Sequence, residues 1–153
     1  MGISVDELIS YVERALDEMA AIVTSLGDDL ANQRPGLPGA NPPYVILRHC
    51  LGVMDFWGGH VVAGRTVDRD RDAEFRASGP VAGLVGAMGE AKARFRADAA
   101  AAEPGAPVRG TRPGMAPTDL EIASQGSSLL HVMEEILQHL GQLEITRDLL
   151  RHG

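Results

Sequence analysis

A chain of 153 residues with 44% apolar side chains is long enough to bury a core as one domain, 1–153, and too apolar to stay disordered. Its net charge of −7, with the arginines and the lone Lys92 scattered along the chain, offers no basic patch and excludes a general nucleic-acid binder. Cys50 is the only cysteine, so no intramolecular disulfide forms and a reducing, cytoplasmic setting is expected. Asp6 and Glu7 arrive too early for a signal peptide. No apolar run approaches the roughly 18 residues that read as a membrane span.

From the N-terminus, Ile9, Val12, Leu16, Met19, Ile22 and Val23 recur at helical spacing and predict a helix over 5–26. Ser4 with Glu7 three residues on reads as a capping box, and Gly27 as the stop. Residues 28–43, with Pro35, Pro38, Pro42 and Pro43, read as a loop. A second helix is expected over 43–64, capped by Asn41, with Ile46, Cys50, Val53, Trp57 and Val61 as its stripe. Cys50 falls in that stripe and reads as a small buried hydrophobe.

The connection 65–79 mixes Arg65, Arg69 and Arg71 with Asp68, Asp70 and Asp72 and reads as a solvated linker. A third helix is expected over 80–102 on Leu84, Val85, Met88 and Phe95. Residues 103–118, rich in proline and glycine, form a loop longer than a bundle needs and suited to shaping a pocket mouth. Residues 119–126 read as a helical turn or an extended lead-in. The last helix is expected over 127–151, capped by Ser127 or Ser128, with Leu129, Met133, Ile136, Leu140 and Leu143 as its stripe. No alternating run suggests a strand. The fold class is therefore all-α, a four-helix bundle whose long connections permit a crossover topology.

In the last helix Glu135 and His139 stand one turn apart, at the edge of the apolar stripe. A carboxylate and an imidazole so placed can share one divalent cation, and His49 in the second helix is the best further ligand. Two histidines and one carboxylate, with no cysteine set, leave coordination positions open and suit zinc, nickel or iron. Such a metal lowers the pKa of a bound water or thiol. Phe56, His60, His131 and Gln142 lie along the same helix sides and are pocket candidates.

The segment Leu47-Arg48-His49 through Phe56-Trp57 to Ala63-Gly64-Arg65 resembles the DinB-like (DinB/YfiT) superfamily. So does Leu130 to Leu150, which carries His131, Glu135, His139, Gly141 and Gln142 in the order His-x-x-x-Glu-x-x-x-His-x-Gly-Gln. The likeness is nearest to the branch of mycothiol-dependent maleylpyruvate isomerases and related four-helix proteins. The resemblance implies a DinB/YfiT-like bundle with a metal held by His49, Glu135 and His139. Many relatives have histidine where this chain has Glu135, and the isomerase branch has glutamate there.

The same resemblance implies a low-molecular-weight thiol such as mycothiol or bacillithiol as cofactor. The metal would bind the thiol sulfur, and the thiolate would attack an electrophilic carbon. A carboxylate on the substrate would want an arginine, for which Arg48, Arg65 and Arg147 are candidates. The isomerases carry a further C-terminal domain, for which a sequence that stops at Gly153 has no room, and this puts the isomerase activity itself in doubt. The leading expectation is a metal-binding, thiol-dependent S-transferase or isomerase-like protein acting on a small electrophile, with a homodimer as the expected assembly. The alternatives are a non-enzymatic metal or small-ligand binding protein of the stress-response kind and a metal-dependent hydrolase.

Overall fold

Helix α1 (Val5–Ala31) opens with the expected capping box. Ser4 Oγ accepts from Glu7 N at 3.2 Å, and Glu7 Oε2 accepts from Ser4 N at 2.7 Å. A computed structural model describes residues 2–153. In it α1 does not stop at Gly27: that residue leaves helical geometry (φ 70°, ψ 174°), and the chain then makes one more turn to Ala31. Tertiary bonds hold this turn. Asn32 Nδ2 donates to Gly79 O at 2.9 Å, Asn32 Oδ1 accepts from Gly79 N at 3.0 Å, and Asp28 Oδ1 accepts from Val81 N at 2.8 Å.

Helix α2 (Pro43–Val53) starts on Pro42, not on Asn41, with proline in the first turn where its missing N–H costs nothing. It runs straight on as a π-helix, Met54–Val62, whose wider turn is typical of functional segments. Gly58 lets the helix that carries Phe95 come close there: a Cβ on it would stand 2.7 Å from Cδ2 of that buried ring. The connection that follows is not the solvated linker that its charges suggest. It contains a single turn, α3 (Arg71–Glu74), capped by Asp70 Oδ1 on Ala73 N at 2.8 Å, and it buries Glu74.

Helix α4 (Val81–Ala100) has only Pro80 at its own N-cap position, so Asp28 of α1 supplies the cap from across the bundle. A 3₁₀ turn, Leu120–Ile122, precedes α5 (Gln125–His152). The cap of α5 is Ser124, whose Oγ accepts from Ser127 N at 3.0 Å, about one turn earlier in the chain than the expected Ser127 or Ser128. The reason is Gln125. Its buried side chain accepts from Glu103 N and donates to Pro107 O, both at 2.9 Å, and so fixes the start of α5 against the preceding loop.

Among the described residues there are helices and loops and no strand. The long helices pack in the ring order α1, α4, α2 with its π segment, α5. Two of the three steps between long helices therefore cross a diagonal, α1 to α2 and α4 to α5, while α2 and α4 are ring neighbours. A diagonal crossing needs more chain than a hairpin, which accounts for the long 101–124 connection. One core fills the ring, with Leu16, Met19, Leu47, Met54, Phe95, Leu129, Ile136 and Leu143 fully buried. Among the described residues no helix is long and apolar enough to cross a membrane.

Asp28→Ala removes the only side-chain cap of α4. A loss of about 1 kcal/mol is expected, read as a fall of roughly 2–4 °C in Tm for a chain of this size. Thermal or denaturant unfolding of the purified variant measures it.

Candidate metal centre

Because α2 and α5 are ring neighbours, the buried His49 comes to face Glu135 and His139. One donor atom from each lies within 4.8 Å of the others. His49 Nε2 is 3.8 Å and His139 Nε2 3.5 Å from Glu135 Oε2. The two imidazoles stand nearly perpendicular, at 85° with centroids 4.9 Å apart.

Each imidazole is oriented from behind. His49 Nδ1–H donates to Glu74 Oε2 at 2.9 Å. His139 Nδ1–H donates to Gln142 Oε1 at 2.8 Å. With both Nδ1 atoms carrying protons, both Nε2 lone pairs are free and turned toward Glu135. Glu74 is itself clamped by Arg69, whose Nε and NH2 donate to its two oxygens at 2.7 and 3.0 Å. Gly52, one turn beyond His49, makes room for this carboxylate: a Cβ there would stand 1.8 Å from Glu74 Oε1.

This donor set fits a divalent cation. The Nε2–Oε2 separations exceed direct hydrogen bonds. Two ligands about 2.1 Å from one tetrahedral cation stand about 3.4 Å apart, close to what is seen. Two nitrogens and one oxygen are too few to close a structural zinc site and leave positions for an exchangeable ligand. The histidines carry the carboxylate or amide partners that metal-bound imidazoles take.

A family model described as mycothiol S-transferase matches residues 7–152. The chain belongs to the mycothiol S-transferase family. It is accordingly a DinB-like protein. No curated protein matches it.

In this family member the electrostatics reinforce the geometry. The imidazoles of His139 and His49 hold the Glu135 carboxyl far below the usual carboxylate range, against the opposing effect of its burial. Burial alone would lower the pKa of His49; Glu135 and Glu74 outweigh it and raise it. Burial likewise works to raise Glu74, and the bonds from His49 and Arg69 bring it below its usual value. Cys50 is fully buried, and burial, aided by Glu135 and Glu74, pushes its thiol far up. It packs in the core as its place in the apolar stripe suggests.

The other expected site residues separate. Gln142 is the hydrogen-bond partner of His139. His131 packs edge-on to Trp57 with centroids 4.6 Å apart and places Nε2 3.9 Å from Glu135 Oε1. Phe56 and His60 line a cavity on the connector side, where His60 joins Arg65 O to Thr111 O at 3.0 Å each. Of the arginines, Arg65 is bound to Asp98 at 2.7–2.8 Å, Arg147 to its neighbour Asp148 at 2.8 Å, and Arg48 is exposed on α2. Sequence reasoning missed Glu74 and misread Arg69 as solvated. The signal that points to Glu74 is a glycine one turn after a candidate ligand inside a helix, where a side chain from another segment has to enter.

The metal-free protein should be most stable between about pH 4.5 and pH 6.5, the ordinary values of the groups involved. His49 has a raised folded pKa, so its contribution is full below its ordinary value and fades as pH rises through the folded one. Glu135 and Glu74 have lowered folded values, so theirs is full above the ordinary carboxylate value and fades as pH falls. Metal reverses the alkaline arm, since it needs His49 deprotonated. Melting curves of chelator-treated and Zn²⁺-loaded protein across pH check both signs.

Glu74→Gln keeps an acceptor for His49 but loses the charge, and Gly52→Ala drives the carboxylate out. Both should weaken Zn²⁺ binding by roughly 10–100-fold, the usual worth of such a partner. Competition titration with a chromophoric chelator reads this directly.

Proposed function

We propose that the protein is a metal-dependent S-transferase that joins a low-molecular-weight thiol, of the mycothiol type, to a small electrophile in the cytoplasm. One observation carries the reading. Two histidines from different helices, each locked at Nδ1, aim Nε2 at one carboxylate and form a three-donor site with room for a further ligand. Membership of the mycothiol S-transferase family supports the choice of thiol and reaction.

His49, Glu135 and His139 would hold zinc, nickel or iron. When bound, that cation supplies the positive charge that keeps a thiol sulfur deprotonated at neutral pH. Glu74 and Arg69 keep His49 from turning, and Gln142 does the same for His139. The buried side of the site is closed by His49, while Glu135 and His139 keep 28% and 25% of their side chains exposed. The thiol therefore enters from the α5 side, and its proton leaves to solvent there. The sulfur then forms a bond to the electrophilic carbon as the leaving group departs with its electron pair. Trp57 and His131 make the wall beside Glu135.

Elemental mass spectrometry of gently purified protein should find a stoichiometric divalent metal, lost in His49→Ala and in His139→Ala. Mycothiol-dependent alkylation by iodoacetamide should stop on chelation and return with added Zn²⁺, Ni²⁺ or Fe²⁺. Turnover indifferent to chelation would overturn the reading, and tight metal binding without turnover on any thiol would leave a binding protein.

A further inference from the structure

The connector after the π-helix and the long loop before α5 meet over a cavity of about 320 Å³. Its wall carries Arg69, Arg71 and Arg112, with Phe56, His60 and one carboxylate, Asp68. In a chain of net charge −7 this is a local inversion of sign.

The three guanidiniums are not equivalent. Arg69 is committed to Glu74 through two bonds. Elsewhere Arg65, Arg94, Arg96 and Arg147 each hold a carboxylate. Among the described residues Arg71 and Arg112 have no carboxylate within ion-pair distance. What they have is aromatic support. Arg112 lies over the Phe56 ring at 5.4 Å and Arg71 over the Phe75 ring at 5.1 Å. A guanidinium over a ring keeps its N–H edge for a carboxylate or phosphate oxyanion.

The cavity adjoins the candidate metal centre by two routes. Phe75, under Arg71, packs on the His49 ring with centroids 5.1 Å apart. Arg69, in the cavity wall, has NH2 3.4 Å from His49 Nδ1. A thiolate would have its charge answered at the metal. The two guanidiniums without a carboxylate, linked to the centre through Phe75 and Arg69 behind His49, answer a second negative charge, on the other substrate.

We propose that this cavity is the subsite for an oxyanion, a carboxylate or a phosphate, carried by the electrophile, with Arg71 and Arg112 as its donors. The assignment of that oxyanion to an electrophile rests on the S-transferase reading; the anion site itself does not. Arg71 and Arg112 take the place that the sequence offered to Arg48, Arg65 and Arg147, all of which are otherwise engaged or lie elsewhere.

The first test is binding to the metal-loaded protein, by calorimetry and by the fluorescence of Trp57, whose ring lies 5.2 Å from Phe56. The probes are succinate, inorganic phosphate and the neutral succinamide. Succinate or phosphate should bind saturably and succinamide should not, and the stronger of the two anions identifies the oxyanion. Arg71→Gln and Arg112→Gln should each weaken that binding roughly 10-fold or more, as loss of a charged hydrogen-bond donor does. Both side chains are exposed, so metal content and Tm should stay those of the parent.

The second test is selectivity between iodoacetate and iodoacetamide. In either reaction the C–S bond forms, the C–I bond breaks, iodide leaves with the electron pair and the thiol proton goes to solvent. The ratio of kcat/KM for iodoacetate over iodoacetamide should fall roughly 10-fold in Arg112→Gln. Anions that fail to bind, or that bind the variants as well as the parent, overturn the subsite. Arginine-dependent anion binding in a protein that shows no thiol turnover upholds the subsite and removes the S-transferase reading instead.

Discussion

Everything at the candidate metal centre depends on one buried carboxylate. Glu74 is only 3% exposed, and a charge so placed is tolerable only when it is fully paired. Arg69 neutralises it from one side and His49 takes its remaining bonding capacity from the other. The arrangement fixes the imidazole in a single orientation, with Nε2 outward, and the gap at Gly52 is what allows the carboxylate to reach it. A turn of four residues in a charged connector thus sets the aim of a histidine in the core helix. The turn looks like linker, yet removing its one glutamate would leave Arg69 and His49 facing each other without an anion between them.

The ring order of the helices explains why the chemistry gathers where it does. With α4 and α5 on a diagonal, the 101–124 loop has to travel across the bundle. On the way it is tied to the π-helix through Arg109 N and Gly110 N on Val61 O, and to α5 through Gln125. The same passage brings Arg112 over Phe56, opposite the connector that carries Arg69 and Arg71. The π-helix presents Phe56 and His60 toward these segments and Trp57 toward His131 of α5, which a regular α-helix would distribute differently. The long connections are therefore the roof of the site and not excess chain.

Charge is distributed with the same logic. Among the described residues five arginines hold carboxylates, three of them on acids far away in the chain: Arg65 on Asp98, Arg94 on Asp55, Arg96 on Glu13. Those that reach across exposed surfaces contribute little to stability singly. The two guanidiniums that rest on aromatic rings in the wall of the connector cavity hold no carboxylate, and Phe75 beneath Arg71 packs on the His49 ring.

Much of this was legible in the sequence. The helix stripes named most of the core, and Glu135 with His139 announced themselves by a spacing of four residues, because a helix turns that spacing into adjacency. His49 could be proposed because its own helix was identifiable. The family followed from the same two segments. What stayed hidden had a common cause. The partners of the ligands, Glu74 and Arg69 above all, sit in a stretch whose alternating charges carry no periodicity, so nothing local distinguishes a buried acid from a solvated one. The start of α5 was misplaced for a similar reason: Gln125 is held by backbone groups of a distant loop. The sequence by itself determined the all-α class, the core faces and the Glu135–His139 pair, because period and spacing act within one helix. Only the tertiary structure decided the diagonal helix order, the orientation of the imidazoles and which arginines remain unpaired, because those depend on segments far apart in the chain meeting across the bundle.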